Sequence, residues 1–152
     1  MNTKSLLAGL RSRYFDWRFG MIDSEGPIGK RGEQAAARHL RQHGFLVLAE
    51  SESDRAGEID IIAVEPKKRM IVFVEVKTLA TTKPGHPADR VDELKQGRIT
   101  RAALRYLKRK NLIGTACRFD VIAIWWPNEW EGPRKIQHYE AAFEAVGDFQ
   151  MY

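Results

Sequence analysis

A carboxylate and a lysine stand two residues apart inside an apolar run, Ile71-Val72-Phe73-Val74-Glu75-Val76-Lys77-Thr78, and a second carboxylate, Asp60, closes the segment Gly57-Glu58-Ile59-Asp60. The valines, isoleucine and phenylalanine of the first run are those of a strand buried on both faces, where an unpaired charge is costly. Side chains alternate along a strand, so Glu75 and Lys77 share a face with Phe73 while Val72, Val74 and Val76 line the other. A neighbouring strand that carries Asp60 brings a second carboxylate beside Glu75. Two buried carboxylates both ionise only with a cation between them, and a divalent metal is the simplest one.

The elements that must position these residues follow from periodicity and turn chemistry. Gly29 to His43 reads as a helix, with Glu33, Ala36, Ala37 and Leu40 on one face and Gly44 as its C-terminal stop. Glu33 then looks toward the sheet, although a first-turn acid is also what the helix dipole favours by itself. Strands are expected at Phe45 to Glu50, Glu58 to Glu65 and Met70 to Thr78, divided by Asp54-Arg55-Ala56-Gly57 and Pro66-Lys67-Lys68-Arg69. Connections this short join antiparallel neighbours. Leu79 to Arg90 is polar, with Thr81, Thr82, Pro84, Gly85 and Pro87, and reads as a loop. A second helix spans Val91 to Lys110, with Ile99, Ala102, Ala103, Tyr106 and Leu107 inward. Lys95 lies one turn before Ile99 on the core side, and Arg98, Arg101, Arg105 and Lys108 form a basic outer stripe. Arg118 to Trp125 is another strand, and Lys135 to Phe143 an edge strand or short helix. The order is αβββαβ: an α/β core with a mixed sheet of four to five strands flanked by helices.

At 152 residues the chain fits one domain. Its parts are an N-terminal extension (1–28), a core (29–126) and a C-terminal segment packed on the same domain (127–152). A net charge of +5 favours an anionic partner, nucleic acid above all. The single cysteine, Cys117, excludes an internal disulfide and a Cys-rich zinc site, which fits a reducing compartment. His39 and His43 share a helical face without a third ligand in view and read as a solvated pair. No apolar stretch reaches the roughly 20 residues of a transmembrane helix. Leu6-Leu7-Ala8-Gly9-Leu10 is too short for a secretory segment, so a cytoplasmic protein without stable membrane association is expected. In the extension, Leu6, Leu7, Leu10 and Tyr14 mark an amphipathic helix among Arg11, Arg13 and Arg18. It suits a membrane surface, a partner or nucleic acid, and equally well a place on its own domain.

An αβββαβ order with Asp on the second strand and Glu-x-Lys on the third resembles the PD-(D/E)xK, or restriction-endonuclease-like, superfamily. Ile59 replaces its eponymous proline. The closer resemblance is to the YraN family. Its elements appear as Gly29-Lys30-Arg31-Gly32-Glu33, Gly57 to Asp60, Val74 to Thr78 and Arg118-Phe119-Asp120, with Leu79 where that family often has arginine. The resemblance implies a Mg²⁺ or Mn²⁺ site made by Asp60, Glu75 and the backbone carbonyl of Val76. It carries Glu33 over as the helix carboxylate of Holliday-junction-resolvase-like members, and Lys95 as a helix lysine that contacts phosphate or developing charge. Magnesium prefers hard oxygen donors, polarises a phosphodiester and lowers the pKa of an attacking water, which Lys77 would position.

The expected function is therefore metal-dependent hydrolysis of phosphodiester bonds, in DNA more than RNA, with branched or repair intermediates as substrates. Arg98, Arg101, Arg105 and Lys108 would bind phosphates, and a homodimer would serve symmetric cutting of two strands. Fold alone does not fix activity, so two other readings stand beside it. One is a non-catalytic nucleic-acid-binding module. The other is a protein-interaction factor that uses Trp125-Trp126-Pro127 and Trp130 as anchors. Glu75 and Lys77 as a plain ion pair on a half-exposed strand, and the basic stripe as a solvated helix face, are the structural alternatives.

Overall fold

The computed structural model describes residues 3–55, 57–81 and 91–147. The order is α1 (Thr3–Phe19), α2 (Ile28–Gln42), β1 (Leu46–Asp54), β2 (Gly57–Glu65), β3 (Met70–Leu79), α3 (Glu93–Arg109), β4 (Cys117–Trp125) and β5 (Lys135–Phe143). The strands form one sheet in the order β1-β2-β3-β4-β5. The tight β1/β2, β2/β3 and β4/β5 connections make antiparallel pairs, while β3 and β4 are parallel because α3 carries the chain back.

Alternation puts two different cores on the two faces of this sheet. On one face Ile61, Ala63, Val72, Val74, Ile122 and Ile124 meet α2 through Ala35, Ala36, Ala37 and Leu40. On the other, Ile62, Phe73, Phe119 and Val121 meet α3 through Ile99, Ala103, Tyr106 and Leu107. The alanines let α2 lie close to the sheet, and Gly44, at φ +84°, ends that helix in the left-handed conformation that costs glycine least. Asp92 caps α3 by accepting from the Lys95 N–H at 2.8 Å.

Several boundaries differ from those the sequence predicts. β1 continues past Glu50 to Asp54, because it keeps pairing with β2 down to Gly57. Lys135 to Phe143 is an edge strand, since its backbone completes the ladder of β4. The helix of the extension forms, and it meets α2 through an Asp16–Arg38 ion pair and the Phe19 carbonyl, which accepts from Arg41 at 3.3 Å, while Leu7, Leu10, Tyr14 and Trp17 stay exposed. Most of the expected Leu79 to Arg90 loop lies outside the described residues. Among those described, no helix is long and apolar enough to cross a membrane.

Candidate functional site

The face that carries Phe73 also carries Glu75 and Lys77, as alternation requires. Glu75 is 3% exposed, and its Oε1 accepts from Lys77 Nζ at 2.9 Å while Lys95 Nζ, from the first turn of α3, lies 3.4 Å away. The other oxygen, Oε2, is buried and has no hydrogen-bond partner among the described residues. Buried polar atoms are nearly always paired; Arg31 Nε, Arg38 Nε and Trp125 Nε1 share this state among the described residues, and Glu75 Oε2 is the carboxylate oxygen of the four.

Asp60 reaches this point through a defect in the sheet. The β2–β3 register runs from Glu65↔Met70 to Ile61↔Val74 and stops one step before Asp60 and Glu75 would pair. On the other side, the β1–β2 register passes from Glu50↔Ile61 to Glu52↔Ile59 with Ser51 and Asp60 unpaired between them, and Ser51 has a φ of +53°. Ile59 and Ile61 should share a face, yet Ile59 packs with α3 and Ile61 with α2. β2 therefore turns over at Asp60. The Val76 N–H that has left the ladder donates to Asp60 Oδ2 at 2.7 Å, so the side chain replaces a lost backbone bond.

Electrostatics follow from that geometry. Burial, the facing Glu75 carboxylate and the more distant Glu33 push the Asp60 carboxyl up from 3.8 to about 7, against the pull of the Val76 N–H and Lys95. Two carboxylates thus compete for one set of cations, and a hard divalent ion fits their oxygen donors. Among the described residues no group of three or more His, Cys, Asp or Glu side chains is placed to hold a metal. Any ion here would therefore rest on two carboxylates, backbone and water, the coordination that magnesium tolerates best.

Glu33 stands at the rim. Its Oε2 accepts from Lys30 Nζ at 2.9 Å and from Ser51 Oγ at 3.1 Å, and α2 presents it because Gly32 lets the helix touch the end of β3. A Cβ at Gly32 would overlap Thr78 Oγ1. The sequence assigns no role to Lys30 or Ser51; Lys30 enters it only as part of the Gly29 to Glu33 motif, and Ser51 leaves no signal there. The basic stripe is exposed as expected, but Arg105 Nε is tied to Asp54 Oδ2 at 2.7 Å, so Arg98, Arg101 and Lys108 are its unpaired cations among the described contacts.

Arg118-Phe119-Asp120 forms a second, quite separate network. Asp120 is fully buried and accepts from Arg118 Nε (2.9 Å) and Nη2 (3.0 Å), from the Ala141 N–H (2.9 Å), and bonds His138 Nε2 (2.7 Å). Burial pushes its carboxyl up, but His138, Arg118 and the Ala141 N–H hold it below 3.8. His39 is not solvated as its spacing with His43 suggests: it is half-buried, 4.1 Å from the His43 ring and 6.4 Å from that of His138. Burial and those two rings lower its pKa to about 4. Trp126 is likewise a core residue, 3% exposed, donating to the Glu131 carbonyl at 2.7 Å under a stacked Arg31. Trp130 is 96% exposed, Pro127 is exposed and Trp125 half-buried, so these three keep an accessible surface.

Fold and site together define an α/β protein whose mixed five-stranded sheet opens at one point to bring together two carboxylates and two lysines. Residues 32–124 match the family described as Uncharacterised protein family UPF0102, and the chain belongs to this YraN-like family. It is 65% identical to a UPF0102 protein of Rhodopirellula baltica over 94% of this chain and 86% of the relative. UPF0102 proteins of Chlorobaculum tepidum (42% identical, 80% and 94% covered) and Pelobacter propionicus (42% identical, 76% and 81% covered) are also similar.

Proposed function

We propose that the protein is a divalent-metal-dependent endonuclease of the PD-(D/E)xK kind that hydrolyses phosphodiester bonds in DNA. The observation that carries this reading is Glu75 Oε2, a buried oxygen without a partner, facing a carboxyl pushed up to about 7. A structural ion pair leaves neither feature, because selection for stability alone would satisfy or remove both groups. Mg²⁺ or Mn²⁺ held by Asp60, Glu75 and the Val76 carbonyl would supply Lewis-acid polarisation of the phosphate and a lower pKa for the attacking water.

The chain's own residues do the rest. Lys77 Nζ, 2.9 Å from Glu75 Oε1, orients the attacking water and offsets charge on the pentacovalent transition state. Lys95 approaches the same carboxylate from the opposite element and meets a phosphate oxygen. Glu33 adds negative potential at the rim, and Asp60, whose carboxyl is pushed up to about 7, would lose its proton to become an anionic ligand of the ion. Arg98, Arg101 and Lys108 bind phosphates further along the duplex. The likeness to junction resolvases favours DNA, branched or under repair, and a homodimer for symmetric cutting.

Incubation of purified protein with branched, flapped, duplex and single-stranded DNA and RNA, in Mg²⁺, Mn²⁺ or EDTA, tests this directly. Cleavage of at least one substrate, abolished by EDTA, is expected. A second reading, binding without cleavage, draws on one observation: Lys77 and Lys95 already pair with Glu75, and their two positive charges match the two carboxylates of the site. An inert wild type that still binds DNA would select it.

A further inference from the structure

Beyond Lys77 the active face of the sheet continues into a cleft that the site above does not use. Lys77 pairs with Ala123, and Leu79 with Trp125, which in turn pairs with Lys135 on β5. Alternation keeps Glu75, Lys77, Leu79 and Trp125 on one face. From the strand spacing and rise, the Cα atoms of Lys77 and Trp125 are about 8 Å apart. Around the indole, Ala80, Thr81, Pro127, Arg134 and Lys135 enclose a cleft of about 330 Å³. Its walls combine a planar apolar surface with two exposed cations and, among the described residues, no carboxylate. Lys135 Nζ lies 5.0 Å from the indole centroid, so aromatic plane and positive charge occupy the same few ångströms.

A nucleotide has these same two halves, a flat base and an anion. The volume holds one nucleotide and no double helix, and duplexed bases have no free face to stack on an indole. We propose that this cleft takes an unpaired nucleotide beside the scissile phosphate, with the base against Trp125 and Pro127 and its phosphate between Arg134 and Lys135. The preferred substrate is then DNA with single-stranded nucleotides adjoining a duplex. This rests on the endonuclease reading, which supplies the scissile phosphate at Lys77.

Binding measured in EDTA separates the two. Fluorescence anisotropy would compare a labelled blunt DNA duplex with the same duplex bearing a short single-stranded overhang. Wild type is expected to favour the overhang by about tenfold, within the range for stacking of one base. Trp125→Ala should abolish the preference, and Trp125→Phe, which keeps an aromatic face, should retain most of it. Arg134→Gln and Lys135→Gln should each lower the salt slope on the overhang substrate by about 0.7. Equal affinity of wild type for both DNAs, or a preference unchanged in Trp125→Ala, overturns the cleft. Should circular dichroism show Trp125→Ala unfolded, unchanged overhang binding and salt slope in Arg134→Gln and Lys135→Gln would overturn it equally. None of these readouts depends on turnover at Glu75, so an uncleaved substrate leaves the result intact.

Discussion

Asp120 and Glu75 are both buried carboxylates on the central strands, and the sheet treats them in opposite ways. Asp120 is given an arginine fork, a histidine and a backbone N–H, so every lone-pair direction is filled and its pKa falls. Glu75 shares one oxygen between two lysines and leaves the other unpaired, while its neighbour Asp60 is driven up to about 7. The first arrangement stabilises the native state; the second leaves two acids in tension. The Asp120 network ties the β4–β5 edge, through Ala141 at φ +47°, to the core. The Asp60/Glu75 pair sits where β2 and β3 come apart.

The contrast is sharpest in stability. Asp120→Ala leaves Arg118 Nε, His138 Nε2 and the Ala141 N–H without their acceptor, although Glu65 still holds Arg118, and is expected to cost about 3–5 kcal/mol, lowering Tm on the order of 10 °C in calorimetry. A loss under 1 kcal/mol, or roughly the worth of a surface pair, would place both carboxylates in one class. Lys77→Ala should instead leave Tm and calorimetric Mn²⁺ binding near wild type while cleavage falls by at least about 100-fold. Cutting at the wild-type rate by that variant would remove Lys77 from the chemistry.

Asp60→Asn should move stability the other way. With its folded pKa raised from 3.8 to about 7, Asp60 holds a proton in the native state that the unfolded chain releases. Its contribution is complete below pH 3.8 and is lost as pH rises through about 7, so the metal-free protein weakens across that window. Asparagine removes this loss and should gain on the order of 1–2 kcal/mol at neutral pH, a few degrees in Tm, while Mn²⁺ binding weakens sharply. Asp120, whose folded pKa is depressed, contributes stability above 3.8 that disappears as pH falls through the lowered value. Parallel pH–Tm profiles of Asp60→Asn and Asp120→Asn would contradict this opposition.

The smallest effects belong to the outer face of α3. Arg98→Gln and Arg101→Gln should each reduce the salt slope of log affinity for DNA by about 0.7–0.9. Arg105→Gln should change it less, since Asp54 already holds that guanidinium. Equal slopes in all three variants and wild type would make the stripe a solvated surface.

Much of this was legible in the chain because the signals are local. Period-2 alternation put Glu75 and Lys77 on one face, and i, i+3, i+4, i+7 spacing put Lys95 on the inner side of α3 and Arg98 on the outer. Short turns dictated antiparallel neighbours. Four motifs in order pointed to the family that residues 32–124 match. The same local rules misjudged His39 and Trp126, because a residue's exposure depends on what another element lays over it.

What the amino-acid order determined by itself is the set of elements and the faces their side chains take, since both follow from backbone geometry over a few residues. Only the tertiary structure decided that β2 turns over at Asp60, that Lys30 and Ser51 hold Glu33, and that Lys135 meets Trp125 beside Lys77. It also decided which buried acid is satisfied: Asp120 finds His138 and Ala141 on a strand that alternation could not place, and Glu75 does not. Periodicity fixes the direction of a side chain, but the register between strands and the packing of helices over them choose its partners. A carboxylate's partners set its pKa, and with it whether burying the group stabilises the fold or strains it.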